Sequence, residues 1–400
     1  MNKTIRSWLP LALAGALALL SGCSTVLPRN PLPVELEAVA QVPGIAEARF
    51  WGDDIPPQIE RRIREMSDEA IQSGYPALYG RPHNYLAISG GGSDGAYGAG
   101  ILTGWSEAGD RPQFQLVTGV STGALIAPFA FLGPAYDHVL REVYTTTATE
   151  DILRTRNWLS ILFSDSATDS TPLLEMIRKH VDDDVIEAIG VEHRKGRRLF
   201  IGTTDLDHMR PRVWDIGAIA ASGQPGARDL VHKIMLASAS IPGAFPPVRI
   251  NVQAQGQVYD ELHVDGGTTA QVFVYPAAID WRELMERLDV PGEANIFVIR
   301  NSALDPHPEE VEPNLVSIAG RSISSLIRTQ GIGDLYMIYM LTVRDGGSYH
   351  LAYIPEDFDL QSQEPFDKAY MNELFDLGWR QGKDGYPWKV YPPGWVHRAP

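Results

Sequence analysis

Cysteine is almost absent from this chain of 400 residues, because Cys23 is the only one. A lone thiol excludes an internal disulfide bond. It also excludes the paired cysteine and histidine spacing that is typical of zinc sites. We therefore expect chemistry that needs neither a metal nor an organic cofactor.

Long hydrophobic runs are also lacking. Beyond the N-terminus, no stretch of about 18 residues is both apolar and uncharged, so the sequence predicts no membrane-spanning helix. The N-terminus itself has Lys3 and Arg6, followed by an apolar run from Leu9 to Leu20. A basic start and a short apolar stretch are typical of a secretory signal.

The end of this signal is Leu20-Ser21-Gly22-Cys23, which resembles a bacterial lipobox. The resemblance implies a lipoprotein signal peptide over residues 1–22 and a lipid on Cys23. Because Ser24 follows the cysteine, it also implies an exported lipoprotein anchored in the outer membrane. The alternative is an ordinary signal peptide that happens to contain a cysteine.

Basic residues are scarce relative to acidic ones. Lysine and arginine number 34 against 50 aspartates and glutamates, which gives a net charge of −16. Loss of the signal removes two basic residues and no acidic one, so the charge becomes −18. Such a chain is a poor ligand for nucleic acid and adheres weakly to anionic lipid by charge alone.

Four glycines, in contrast, occur within one stretch of six residues. A short apolar strand, Tyr85 to Ile88, precedes Gly90-Gly91-Gly92-Ser93-Asp94-Gly95, and a helical pattern follows from Ala96 to Glu107. A glycine loop at a helix N-terminus presents backbone N–H groups to an anion. The loop also fits the dinucleotide fingerprint, with Asp110 as the ribose ligand. However, that acid belongs after the second strand, and Asp110 precedes it; a flexible turn is the third interpretation.

The second strand leads to a serine. The apolar run Leu116 to Val120 ends at Ser121, which stands between Gly119 and Gly123, and an apolar helical pattern continues to Phe131. This is G-x-S-x-G in the order strand, sharp turn, helix, which raises a serine hydroxyl above a sheet. The alternative is an ordinary tight turn between a strand and a helix.

Two later sequence blocks follow the glycine loop and the G-x-S-x-G motif along the chain. The third block is Ala237-Ser238-Ala239-Ser240-Ile241-Pro242-Gly243-Ala244-Phe245-Pro246-Pro247, and the fourth is Val264-Asp265-Gly266-Gly267. Together with the glycine loop and G-x-S-x-G, these blocks resemble the patatin-like phospholipases over roughly residues 84–276. The resemblance implies an α/β fold, a three-layer sandwich whose central, mostly parallel sheet lies between helices.

The resemblance also implies the site. Ser121 is the expected nucleophile and Asp265 the expected base, while N–H groups of Gly90, Gly91, Gly92 and Thr122 are expected to form an oxyanion hole. The other motif positions are Gly95, Gly119, Gly123, Gly266 and Gly267. Many members of the family have lysine or arginine in the glycine loop where this chain has Asp94, so help from a cationic side chain there is in doubt.

A serine hydroxyl needs a base, and a histidine triad is the alternative to the Ser-Asp dyad. Only His307, His350 and His397 follow Asp265, and none lies in a strand-end motif. His263 would share a strand face with Asp265, but the chain order is wrong for a triad. We therefore expect the dyad, with Asp265 accepting the proton of Ser121 and the acyl group of an ester transferring to the serine.

The remaining pattern predicts further elements and the domain limits. Residues 23–82 are expected to be a lipidated tether and a helical extension, 83–345 the catalytic domain, and 346–400 a strand, helix and tail that pack on it.

The turn acids Asp205 and Asp207, with His208 and Arg210, are interpreted as capping groups. Ser164 to Thr171 is either a mobile lid or a loop. Predicted helices cover residues 57–72, 136–144, 173–181, 231–240, 277–288, 314–340 and 366–380, and predicted strands cover 197–204, 213–216, 248–253, 257–260, 295–300 and 348–354.

Three function classes remain. We expect a membrane-anchored serine acyl hydrolase that cleaves carboxylic esters of lipids and binds no nucleic acid. The second class is a non-catalytic envelope lipoprotein of the same fold that binds or scaffolds a partner. The third is a dinucleotide-binding oxidoreductase.

Overall fold

The structure is a computed structural model, and it describes residues 29–54, 64–155, 168–279, 281–305, 308 and 310–396. The strands among them are β1 (Arg49–Trp51), β2 (Asn84–Ile88), β3 (Leu116–Val120), β4 (Arg154–Thr155), β5 (Thr168–Asp169), β6 (Arg198–Asp205), β7 (Arg210–Asp215), β8 (Val248–Ala254), β9 (Gln257–Asp265), β10 (Asn295–Ala303) and β11 (Ser348–Ile354).

The α-helices of the same residues are α1 (Asp68–Gly74), α2 (Gly95–Ala108), α3 (Thr122–Leu132), α4 (Asp137–Thr146), α5 (Thr149–Ile152), α6 (Thr171–His180), α7 (Asp183–Arg194), α8 (Ile216–Ala221), α9 (Ala227–Ser238), α10 (Trp281–Arg287), α11 (Leu315–Arg344) and α12 (Lys368–Lys383). Among the residues described, no helix combines the length and apolarity needed to cross a bilayer.

The main sheet is parallel at its centre and antiparallel at one side. Its order is β1-β7-β6-β3-β2-β10-β11, and β9 also pairs with β6 and carries β8. The five strands β6, β3, β2, β10 and β11 are parallel neighbours, whereas β7, β1, β9 and β8 join antiparallel. The expected α/β fold with a mostly parallel central sheet is therefore confirmed, with an antiparallel extension beyond β6.

The two faces of this sheet have separate cores, which makes three layers. On β2, Leu86 and Ile88 join the core beneath α2, α3 and α12, while Tyr85 and Ala87 join the core beneath α11. Side chains of a strand alternate between faces, and both faces are buried, so β2 is apolar throughout. This explains why a short uninterrupted apolar run marked it in the sequence.

Residues of the four sequence blocks meet at the carboxyl edge of the parallel strands. β2 ends at the glycine loop and β3 ends at Ser121, and Val120 pairs with Gly202 of β6. One residue further along β6, Thr203 pairs with Asp265 at the end of antiparallel β9. The register therefore brings Asp265 level with Ser121.

The C-terminal helix packs against the helix that follows the glycine loop. A Cβ atom at Gly378 of α12 would overlap the carbonyl oxygen of Tyr97 in α2, and one at Gly100 would overlap the carbonyl oxygen of Phe375. Only glycine permits two helix backbones to approach this closely. Residues 346–400 thus contribute β11 and α12 to the layers described here.

Most predicted elements are present, with shifted ends. The hairpin around Gly256 is confirmed as β8 and β9. The predicted helix over residues 57–72 lies partly outside the described residues, and its described part is interrupted because Ser67 caps a new helix at Asp68. The predicted helix over 277–288 is shorter, Trp281–Arg287. Residues 164–167 lie outside the description, and Thr168–Asp169 is a short strand rather than a loop. The sequence interpretation missed α7 and α8.

Candidate active site

Ser121 occupies a strained turn between β3 and α3. Its φ and ψ angles are 55° and −124°, a backbone conformation that residues other than glycine rarely adopt. A Cβ atom at Gly119 would overlap the carbonyl oxygen of Gly123, and one at Gly123 would overlap that of Ile88. The two glycines of G-x-S-x-G are therefore required by close backbone approach. They hold the serine at the carboxyl edge of the sheet.

The backbone of this turn is bonded to a residue of the third sequence block. The N–H of Ser121 donates to the hydroxyl of Ser238 at 3.0 Å, and that hydroxyl donates to the carbonyl of Gly202 at 2.6 Å. Ser238 is the last residue of α9 and is fully buried. One side chain thus bridges the serine turn and β6.

Asp265 is buried beside Ser121 at the end of β9. Its Oδ1 accepts the N–H of Gly267 at 2.7 Å, and its Oδ2 accepts no hydrogen bond from the described residues. Burial raises the pKa of this carboxyl to about 6, against the opposing influence of the Ser121 hydroxyl and the Gly267 N–H. The register of β3, β6 and β9 places the serine turn level with this carboxyl group, whose Oδ2 has no hydrogen-bond partner among the described residues.

The glycine loop lies against the serine turn, with one difference from expectation. A Cβ atom at Gly90 would be 3.2 Å from Cβ of Ser121, and one at Gly95 would overlap Oγ1 of Thr122. However, the N–H of Gly90 donates to the carbonyl of Gln271 at 3.1 Å, so Gly90 is not the oxyanion donor that the sequence suggested.

Three other N–H groups remain candidates for that role. Gly92 has φ of 59° and begins the 3-10 turn Gly92–Asp94, and Thr122 is the first residue of α3. The first N–H groups of a helix have no partner within it. Gly91 precedes this turn, and a Cβ atom there would overlap the carbonyl oxygen of Asn301. Gly91, Gly92 and Thr122 are therefore the donors we retain.

Three polar residues near the site were not identified from the sequence. Gln271 contacts the glycine loop, because a Cβ atom at Gly90 would be 2.9 Å from its Oε1. Asp334 of α11 accepts the N–H of Gln271 at 2.7 Å. Asn301 of β10 donates to the carbonyl of Ser89 and accepts the N–H of Gly98, at 2.9 and 3.1 Å. They come from distant parts of the chain, and no motif in the sequence marks them.

Asp94, the acid where many relatives have a cation, is held by the C-terminal helix. The hydroxyl of Tyr370 donates to its Oδ1 at 2.7 Å. Burial raises the pKa of the Asp94 carboxyl to about 6, and the Tyr370 hydroxyl opposes that change. Asp94 therefore connects the glycine loop to α12.

The histidines do not assemble a triad within the described residues. His263 lies between Oγ1 of Thr203 at 3.1 Å and a carboxylate oxygen of Glu261 at 3.2 Å. His350 is on β11, where its ring bonds Asn295 at the opposite, amino edge of the sheet. His307 and His397 lie outside the described residues.

Asp205, the last residue of β6, belongs to a separate buried cluster. Asp205 accepts the N–H groups of Asp207 and His208, which is the capping role expected for it. Asp205, Glu261 and His263 each place one potential metal-ligand atom within 4.8 Å of the others. Arg212 approaches Asp205 and Glu261 at 3.5 and 3.7 Å, so guanidinium already occupies the place where a cation would bind. We assign this cluster to the stability of the fold.

The dinucleotide interpretation finds no support in this geometry. Asp110 is exposed and follows the C-terminus of α2, before β3 begins. It is therefore near the amino edge of the sheet, whereas the glycine loop lies at the carboxyl edge. The acid required by the fingerprint does not face the loop.

No curated protein matches this chain. Among solved structures, the crystal structure of VipD from Legionella pneumophila shows a TM-score of 0.38 and 12% sequence identity, over 76% of this chain and 67% of that chain. The family model of the patatin-like phospholipases matches residues 86–278. That family generally consists of lipid acyl hydrolases, which supports a hydrolase here. Residues 86–278 of the chain are therefore similar to the patatin-like phospholipase domain.

Proposed function

We propose that this protein is a serine acyl hydrolase that cleaves carboxylic esters of lipids through Ser121 and Asp265. The observation that supports this most is the pairing of a serine on a strained turn with a buried carboxyl whose pKa is raised to about 6. A carboxylate of ordinary pKa is a poor base for a hydroxyl, and burial improves it while keeping it ionised at neutral pH.

The proposed reaction has two steps. Asp265 accepts the proton of Ser121 while Oγ attacks the ester carbonyl carbon, and the resulting oxyanion faces the N–H groups of Gly91, Gly92 and Thr122. Each such donor typically contributes about 2.7–4 kcal/mol to the barrier. The proton then passes from Asp265 to the alcohol as the carbon–oxygen bond breaks, which leaves an acyl ester on Ser121. A water molecule then loses a proton to Asp265 as it attacks the acyl carbon, and Asp265 returns that proton to Oγ of Ser121 as the ester bond breaks and the fatty acid leaves.

The test uses a fluorophosphonate, which modifies activated serines, and hydrolysis of p-nitrophenyl esters and phospholipids. We expect one label on Ser121, loss of activity in Ser121→Ala and Asp265→Asn, and no effect of Ser73→Ala, which alters an exposed serine. Full activity in either site variant, or a label on another serine, would refute the dyad. An unlabelled and inactive wild type would favour the second candidate, a non-catalytic scaffold of this fold.

We also propose that the protein is an exported lipoprotein anchored through Cys23, in the outer membrane. The support is the lipobox-like sequence and Ser24, both outside the described residues. Mass spectrometry of the mature N-terminus should find residues 1–22 removed and acyl groups on Cys23. Density fractionation of envelopes should place the protein with the outer membrane. A mature chain that starts elsewhere, or Cys23 with a free thiol, would contradict this part of the proposal.

A further inference from the structure

The helix α11 is longer than the sheet that it covers. It lies between β10 and β11, which are parallel, so it begins at the carboxyl edge and returns to the amino edge. Its 30 residues span about 45 Å, whereas the seven residues of β11 span about 23 Å. The helix therefore extends well beyond one edge.

The exposed side chains show which end extends. From Gly331 onward, every turn of α11 has a buried residue, among them Leu335, Ile338 and Thr342. From Ser317 to Gln330, none of the described side chains is buried. Gln330 donates to the carbonyl of Thr269, close after Asp265, which fixes the level of the candidate active site on the helix. The residues before Gln330 thus project past Ser121 at the carboxyl edge.

This projecting half has an apolar face. Ile318, Ile323 and Leu326 are 50%, 40% and 70% exposed. At 3.6 residues per turn they lie within a sector of about 140°, while Arg321 and Arg328 lie outside it. No aspartate or glutamate occurs between Pro313 and Gly333, although the chain as a whole has a net charge of −16. An exposed apolar face that has no acidic residues beside it is typical of a helix that binds a phospholipid surface.

The start of the described chain lies beyond the same edge. Arg29 forms ion pairs with Asp207, just after β6, and with Asp260 of β9, at 2.6 and 2.7 Å. Both partners lie past the point where Thr203 pairs with Asp265. Five residues separate Arg29 from Cys23, so the six Cα–Cα steps of an extended chain span at most about 20 Å. A lipid on Cys23 would therefore enter a bilayer on the side of the molecule that bears Ser121.

We propose that the carboxyl edge of the sheet faces a lipid bilayer, and that Ile318, Ile323 and Leu326 of α11 insert into its interface. This inference rests on the proposed function, because it places the lipid ester substrate next to Ser121. The helix lies at the membrane surface and does not cross it, in agreement with its composition. This orientation would let a lipid substrate move from the bilayer to Ser121 without passing through water.

The test compares two substrates in the full-length protein on phosphatidylethanolamine and phosphatidylglycerol vesicles. In Ile318→Ser/Ile323→Ser/Leu326→Ser, hydrolysis of vesicle phospholipid should fall at least about tenfold, since each side chain loses its apolar contact. Hydrolysis of a soluble p-nitrophenyl ester should stay within about twofold. The matched control is Met337→Ser/Met340→Ser, which changes exposed residues on the half that packs on the sheet and should alter neither rate.

A second measurement separates this proposal from the enzymatic one. An environment-sensitive fluorophore on Leu326→Cys should shift to the blue on vesicles and be quenched by a nitroxide in the acyl chains, whereas the same label on Met340→Cys should do neither. A wild type inactive on both substrates would refute the hydrolase, but the fluorophore would still report insertion. Equal signals at the two positions, or an unchanged ratio of vesicle to soluble activity in the triple variant, would overturn the bilayer proposal. Disulfide formation between copies of Leu326→Cys without a spectral shift would overturn it in favour of a second copy.

Discussion

The backbone N–H of Ser121 donates to the hydroxyl of Ser238 across 3.0 Å. This bond stabilises a turn whose φ of 55° is otherwise unfavourable, and the same hydroxyl bonds the carbonyl of Gly202. Ser238 is consequently a positioning residue, and it connects the third sequence block to the nucleophile.

Replacement of Ser238 by alanine should disturb that turn. The change leaves a buried N–H and a buried carbonyl without their partner, which typically costs about 1–3 kcal/mol. We expect kcat on a soluble ester to fall about tenfold and KM to change little, because the orientation of Oγ is affected and the substrate is not. Ser240→Ala is the matched control: Ser240 is also fully buried, but its hydroxyl bonds only the carbonyl of Leu236. Equal losses in both variants would indicate a general packing effect.

The rate should depend on the ionisation of Asp265. Its pKa is raised to about 6, and only the ionised carboxylate can accept the serine proton. We therefore expect kcat/KM to be level above this pH and to fall about tenfold per pH unit below it. Ionisation of a carboxyl group absorbs little heat whereas that of imidazole absorbs much, so the acid limb should stay at the same pH on warming. A limb that moves clearly with temperature would point to a histidine base.

The same carboxyl should reduce stability at neutral pH. Because its pKa is higher in the folded chain than the usual 3.9, the folded state binds more protons between about pH 4 and 6, and stability falls as the pH rises through this window. Asp265→Asn should therefore raise the free energy of unfolding by on the order of 2–3 kcal/mol at about pH 8, and by little near pH 4. Urea unfolding at both pH values measures this, with the exposed Asp110→Asn as control. An asparagine variant less stable than the wild type at pH 8 would contradict the assigned burial.

The contact between α2 and α12 can be tested with a pair of glycines. A methyl group at Gly378 would overlap the carbonyl oxygen of Tyr97, so Gly378→Ala should destabilise the fold by about 1–3 kcal/mol despite the better helix propensity of alanine. Gly320 of α11 has open space around its Cα, and Gly320→Ala should stabilise by about 0.5–1 kcal/mol. Thermal unfolding of both variants gives the comparison. Changes of the same sign would show that helix propensity outweighs the close approach.

Site residues that lie close together in the sequence could be predicted, whereas those contributed by distant segments could not. Ser121 and its two glycines form one local turn, so five residues identified strand, turn and helix together. Asp265 was recognisable because two glycines follow it and the third block precedes it. Gln271, Asn301 and Asp334 act through hydrogen bonds to elements far away in the chain, and nothing in their immediate neighbours indicates those partners. Gly90 fitted the motif, but its N–H was committed to Gln271 by the same long-range packing.

The ends of the helices also differ in how well the sequence predicted them. α2 was predicted to within one residue at each end, whereas α9 begins four residues earlier than predicted. α8 was missed because Ile216–Ala221 is short and entirely apolar or small, so it reads as a continuation of β7. The helix predicted over residues 57–72 ignored Ser67, whose hydroxyl accepts the N–H of Ala70 and begins a separate helix. Capping by one side chain outweighed a continuous apolar stripe.

The glycine seam between α2 and α12 has a consequence for protein engineering. A fragment cut to residues 86–278 would lose β10, β11, α11 and α12, and it would expose the bare glycine surface of α2 and an unpaired edge of β2 to solvent. The region that matches the family model therefore lacks two strands of the main sheet and two of the helices that cover it. Expression boundaries, chimeras and truncations should keep the chain intact through Lys383.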